Sequence, residues 1–197
     1  MNKKFISGGC SFTFGHELSD DDKGKKPSKQ SWAYILSQES NVCQPNDYIC
    51  VARPGTGNSG IARRVFNAVA NTKDISCVAI MWSFLSRYDW AMPRHRNLED
   101  TRWVTITPWD TTQGQAEAFR ELANSEPHKD EWKARREQMK QTGVRDFADS
   151  LYKFAANQYH ELYLSWKSII WLQNILKNKK IPYNQTTAQK TNEKEQC

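Results

Sequence analysis

The sequence predicts an α/β fold built on a short parallel sheet. Three observations carry that prediction. Short β-rich runs alternate with helical patterns through the first half of the chain. The third of those runs, "DISCVAIMW", is apolar almost throughout, as a strand covered on both faces must be. The length, 197 residues, suits one domain able to bury about 70% of its unfolded surface.

In chain order, "KKFIS" (3–7) reads as the first strand. "QSWAYILSQES" (30–40) reads as a helix with Trp32, Ile35 and Leu36 on one face. "DYICVA" (47–52) is the second strand. "NSGIARRVFNAVAN" (58–71) is a helix that repeats Ile61, Val65, Ala68 and Val69 at spacings of three and four. "DISCVAIMW" (74–82) is the third strand, and "MWSFLSRYDW" (81–90) leads away from it as a loop.

Residues 91–145 read as a helical insertion over the C-terminal edge of the sheet. It holds Pro93, Pro108 and Gly114, a short strand "WVTITP" (103–108), and an exposed helix (127–140) that Gly143 ends. One long helix is expected from Asp146 to Lys177, with Leu151, Ala155, Tyr159, Leu162, Trp166, Ile169, Ile170 and Leu176 along its inner face. "KKIPY" (179–183) starts a fourth strand. The single domain is expected to end at residue 183, with 184–197 a polar, disordered tail.

The chain carries net charge +6, with a pI near 9.0 and a mean hydropathy of -0.80. Its cations are spread along helical stretches such as "KARREQMK", so a dedicated nucleic-acid groove is not the favoured reading. Five cysteines without a C-x-x-C pair support neither a metal site nor a disulfide framework, and no cofactor is implied. No run is long enough to cross a bilayer, and no signal peptide is evident, so a cytoplasmic setting is expected.

In open α/β sheets, ligands bind beyond the C-terminal ends of the strands. Ser11 follows the first strand, Gly57 and Asn58 the second, and Ser83 and Arg87 the third, so three loops are expected to converge on one edge. In "SGGCSFTFG" (7–15), Gly8 and Gly9 would let the chain turn sharply and Gly15 would let it turn again, which presents Ser11 as a nucleophile. The plainer reading of Ser11 is a turn or a helix cap. "RPGTGNSG" (53–60) suits an oxyanion site at a helix start, or ordinary punctuation with Asn58 or Ser59 as the cap. Ser83 could donate into the site, and Arg87 could clamp an anionic substrate or pair with Asp89.

The blocks "GGCSFTFG" with "SWA", then "ARPGTGNSGI", then "VAIMWSFLSR" resemble the SGNH (GDSL-like) hydrolases over residues 3–90, above all the compact versions carried by bacteriophages. The resemblance implies a flavodoxin-like three-layer α/β/α fold and a serine esterase acting on acyl or acetyl groups, often on carbohydrates. It assigns Ser11 as nucleophile and Gly57, with Asn58 beside it, to the oxyanion hole.

Two blocks depart from the family pattern. "WSFLSR" stands where the family has G-x-N-D, which puts Ser83 in that neighbourhood, and no Asp-x-x-His exists. The chain is therefore expected to be truncated or frame-shifted and impaired. Of the four histidines, His16 and His95 are the candidate replacement bases, while His128 and His160 fall on helices. Two alternatives stand beside the esterase: a non-catalytic SGNH-like binding protein, and a basic phage accessory protein that associates with nucleic acid.

Overall fold

The computed structural model describes residues 3–20, 25–39, 43–93, 102–122 and 129–188. The chain divides into two compact units, Met1–Leu85 with Tyr163–Cys197, and Ser86–Leu162.

The first unit is a four-stranded parallel sheet in the order β2-β1-β3-β6. Its strands are β1 (Lys4–Gly8), β2 (Tyr48–Cys50), β3 (Ile75–Trp82) and β6 (Tyr183–Thr187). Phe5 lies level with Tyr48 on one side, and Gly8 with Ile80 on the other. Successive side chains of a strand face opposite ways, and β1 serves two layers on that account. Ile6 joins Val78, Ile80 and Trp82 of β3 in one buried cluster. Helix α3 (Asn58–Asn71) contributes Ile61, Val65 and Val69, and α7 (Gln158–Asn178) contributes Leu172 and Leu176. On the opposite face Phe5 stacks on Tyr48, and Tyr34 of α2 (Trp32–Glu39) meets the Tyr48 ring edge-on at 5.3 Å. Helices flank the sheet as in a three-layer α/β/α fold.

The strand order makes β1 and β3 neighbours while the chain leaves β1 towards β2. The loops after β1 and β3 therefore diverge, and this is the switch point where such sheets open a crevice. The four-residue helix α1 (Ser11–Phe14) occupies that position.

The second unit pairs β4 (Tyr88–Ala91) antiparallel with β5 (Trp103–Ile106). A 3₁₀ turn at Pro108–Asp110 follows, closed by a capping box in which Asp110 accepts the backbone N–H and hydroxyl of Thr107. Helices α4 (Thr112–Leu122), α5 (Lys129–Gln141) and α6 (Val144–Phe154) complete it. Its buried residues include Tyr88, Ile106, Met139, Val144, Ala148 and Leu151. Gly143, at φ 75°, separates α5 from α6 in the left-handed region open to glycine.

Four expectations change. The helix expected over 146–177 is two, because the Asn157 side chain accepts the His160 N–H at 2.9 Å and its carbonyl accepts Glu161, which starts a new helix there. The expected inner face of that helix is also displaced. Ser165, Leu172 and Leu176 are buried, whereas Tyr159, Trp166 and Ile170 are exposed. The fourth strand begins at Tyr183 and runs through Thr187, inside the expected tail. It is an edge strand with Asn184–Thr187 exposed, so it carries no apolar alternation to read. The insertion expected over 91–145 is part of a unit spanning 86–162, which adds β4 in the expected loop and α4 beyond it.

Candidate functional site

The loops that follow β1, β2 and β3 are tied to one another by hydrogen bonds. The Arg53 N–H donates to the Gly9 carbonyl at 3.1 Å, which joins the second loop to the first. The Ser83 N–H donates to Asn58 Oδ1 at 2.7 Å, and Asn58 Nδ2 donates back to the Ser83 carbonyl at 3.2 Å, which joins the third loop to the second. These bonds link the loops that carry Ser11, Gly57, Asn58 and Ser83; Arg87, expected with them, belongs to the second unit.

Ser11 is the first residue of α1, directly after the cap residue Cys10. It is half-buried, and among the described residues its hydroxyl takes no hydrogen-bond partner. Its carbonyl accepts from Gly15 at 2.8 Å and from His16 at 3.1 Å. Gly15 ends the turn at φ 76°, a conformation that favours glycine.

Gly8 and Gly9 serve a purpose other than the expected one. Neither has a positive φ. A Cβ on Gly8 would lie 2.2 Å from Val65 Cγ2, and one on Gly9 would lie 2.1 Å from Thr13 Oγ1 and 3.1 Å from the Met81 carbonyl. These two glycines let β1 run tight against α3, and the turn tight against the end of β3. Close approach is what they provide.

Gly57 caps α3 in extended conformation (φ -86°) and, having no side chain, makes no cap hydrogen bond. The helix's first N–H groups lack intrahelical partners and carry the positive end of the helix dipole. Asn58 is buried, and both its Nδ2 hydrogens are taken, one by Ser83 and one by the Ser165 hydroxyl at 3.0 Å. Its amide is therefore a clamp on the third loop. Ser83 is itself buried and held through both its N–H and its carbonyl.

His16 is half-buried, with Nε2 3.9 Å from a Glu17 carboxylate oxygen, and no hydrogen bond joins its ring to the Ser11 hydroxyl. His95 and His128 lie outside the described residues. His160 stacks on Tyr88 in the second unit. Arg87 also belongs to the second unit, just before β4, and is described with that unit.

Ser165 and Tyr48 were not singled out by the sequence. Ser165 shares a buried helical face with Leu172 and Leu176, and a serine at that spacing is the signal that a polar partner waits across the packing. The Tyr48 hydroxyl sits 2.7 Å from Ser7 Oγ beneath the site loops, and burial pushes its pKa up so that it stays protonated. Burial likewise raises the Cys43 and Cys77 thiols, which disfavours their thiolates. Among the described residues no group of three or more His, Cys, Asp or Glu could hold a metal ion, and no helix is long and apolar enough to cross a membrane.

Compared with known proteins, the chain matches no family model and no curated protein.

Proposed function

We propose that this chain is an SGNH-like serine hydrolase of acyl esters, with Ser11 as its nucleophile. One observation carries the reading: the first of three hydrogen-bonded loops after the strands holds a half-buried serine whose hydroxyl has no partner among the described residues. A serine held for turn formation or helix capping would have its hydroxyl bonded to nearby backbone.

In this reading Ser11 Oγ attacks the acyl carbon, and the carbonyl oxygen takes up the negative charge. The N–H groups of Ser11 and Gly57 hold that oxyanion, since the Asn58 amide is occupied. The Ser11 proton passes to a base and then to the departing alcohol, and water hydrolyses the acyl-serine. His16 is the base within the described residues nearest in sequence, and its ring has to turn from Glu17 towards Ser11 to serve. The acyl or acetyl group of a carbohydrate ester is the substrate class that the family resemblance favours. The four described cysteines are free, in keeping with a reducing compartment such as the cytoplasm.

The test is labelling of the purified protein by a fluorophosphonate, with p-nitrophenyl acetate turnover alongside. The expected result is a label that Ser11→Ala abolishes and turnover reduced by a factor of 100 or more, roughly the scale on which a missing nucleophile acts. A folded wild-type protein that neither labels nor turns over ester overturns the hydrolase. Carbohydrate-ester binding without labelling would then assign the same edge to the non-catalytic reading. Salt-sensitive binding of DNA, lost on Lys or Arg substitution, would assign the protein to nucleic acid.

A further inference from the structure

Helix α7 presents a row of large apolar side chains to solvent. Tyr159 is 87% exposed, Tyr163 61%, Trp166 57% and Ile170 52%, and Trp171 beside them is 43% exposed. A row of this kind on one helix face is uncommon, since side chains of this size dominate cores and interfaces. We infer that this face of α7 is the interface with a second copy of the chain, formed by antiparallel pairing of the two α7 helices about a two-fold axis.

The spacing is the first argument. Positions 159, 163, 166 and 170 follow intervals of four, three and four, the seam along which two helices interlock. The row is also self-complementary. An axis midway between Tyr163 and Trp166 sets Tyr163 against the partner's Trp166. The same axis sets Tyr159 against the partner's Ile170. One symmetry operation therefore satisfies every position of the row, as an isologous interface requires.

Area is the second argument. With aromatic side chains of ~150–250 Å² each, the exposed fractions of the four aromatics amount to roughly 400–600 Å² per copy. A standard interface takes about 800 Å² per partner. The row, with Ile170 in it and Lys167 and Asn174 at its border, supplies the greater part of that. The Trp171 ring already rests on Phe66 of α3 at 5.1 Å, so part of the surface is held in place before any partner arrives.

Charge is the third. Between Tyr159 and Trp171 the exposed side of α7 carries one charged residue, Lys167. A platform that stacks nucleic-acid bases would need cations repeated along the aromatic row. An uncharged row suits a copy of itself.

The experiment is sedimentation equilibrium of the full chain up to about 200 µM, with far-UV circular dichroism as the check on folding. The wild-type chain is expected to dimerise. Trp166→Lys and Tyr163→Glu, substitutions at exposed positions, are each expected to raise the dimer dissociation constant at least ~30-fold, the scale of an interface hot spot. Mixed in equal amounts, the two variants are expected to recover a heterodimer, because the register sets the new lysine against the partner's new glutamate. A monomeric wild type, a dimer indifferent to both substitutions, or folded variants that fail to recover on mixing each overturn the inference. A monomer that binds a thymidine oligonucleotide, and loses it on Trp166→Lys, also overturns it and gives the face to nucleic acid. None of these outcomes depends on Ser11 or its chemistry.

Discussion

Gly8 offers the most direct test of how the candidate site is held. A Cβ there would sit 2.2 Å from Val65 Cγ2, against an ordinary carbon–carbon contact of about 3.5–4.0 Å. Gly8 does not have a positive φ, so Gly8→Ala meets no backbone strain, and the whole penalty is steric. Val65 is fully buried in the α3 layer and, being β-branched on a helix, has one strongly preferred rotamer. Relief must come from an off-rotamer side chain or a shift of α3 away from β1, and overpacking of this kind costs about 1–3 kcal/mol. The loss of unfolded-state freedom on replacing glycine returns about 0.4–1 kcal/mol. A net destabilisation of about 1 kcal/mol, and at most about 2.6, is expected. Val65→Ala alone removes two buried methyl groups and costs about 2 kcal/mol with its cavity. In the double variant the new Cβ at position 8 occupies the space that Val65 gave up. Its cost should fall about 1–2 kcal/mol short of the two single costs combined, a coupling within the range for residues in contact. Urea unfolding of the four proteins measures this directly, with the denaturant slope required to stay constant. Costs that add to within about 0.5 kcal/mol would show that β1 does not press on α3 at this point, and the packing account of Gly8 would fail.

Two further predictions follow from buried polar groups. Asn58→Ala leaves the Ser83 N–H and the Ser165 hydroxyl buried without their partner, so unfolding should become easier by about 2–4 kcal/mol; an unchanged urea midpoint would show that the clamp is not formed. Burial, then the Glu161 carboxylate that accepts its hydroxyl, push the Tyr88 pKa up to about 12. A folded pKa above the unfolded value of about 10 means that the unfolded chain loses this proton first, so the stabilisation is full below about pH 10 and declines between about 10 and 12. Thermal melts followed by circular dichroism across that window should show a shallower decline in Tyr88→Phe than in the wild type, and parallel declines would refute the assignment.

The parts of the fold that could be read in the sequence are those where a period is imposed by burial on known sides. Strand β3 reads as a strand because both its faces are covered, and α3 because Ile61, Val65 and Val69 must all meet the sheet. Strand β6 escaped because it pairs on one edge only and leaves Asn184–Thr187 exposed, so nothing in "NQTT" has to be apolar. The face of α7 was misjudged for a related reason. Its aromatics look like core, and of the expected inner face Leu176 is buried and Ile169 packs on the core, but Ser165 and Leu172 take the buried places expected for Tyr159, Trp166 and Ile170. The rule that loops gather beyond strand ends needs only strand positions, and the loops it named after β1, β2 and β3 are bonded to one another. The partner that occupies Asn58 lies 107 residues further on, and no local pattern reports it.

The distribution of hydrogen bonds at the sheet edge bears on what kind of catalyst the chain could be. Bonds hold the loop after β1 to the loop after β2, and the loop after β2 to the loop after β3. The loop that carries Ser11 and the loop that carries Gly57 are thus held to each other, the kind of preorganisation that the proposed acyl transfer would use. The candidate base is placed on different terms. His16 sits between Gly15 at φ 76° and Glu17 at φ 69°, two left-handed residues that reverse the chain, and its ring faces a glutamate at 3.9 Å. In the proposed esterase the nucleophile and oxyanion donors would therefore lie on loops bonded to one another, and the proton acceptor on one short reversal of chain. Loss of the base from that esterase would leave binding and oxyanion stabilisation in place, which is what separates that reading from an ester-binding protein.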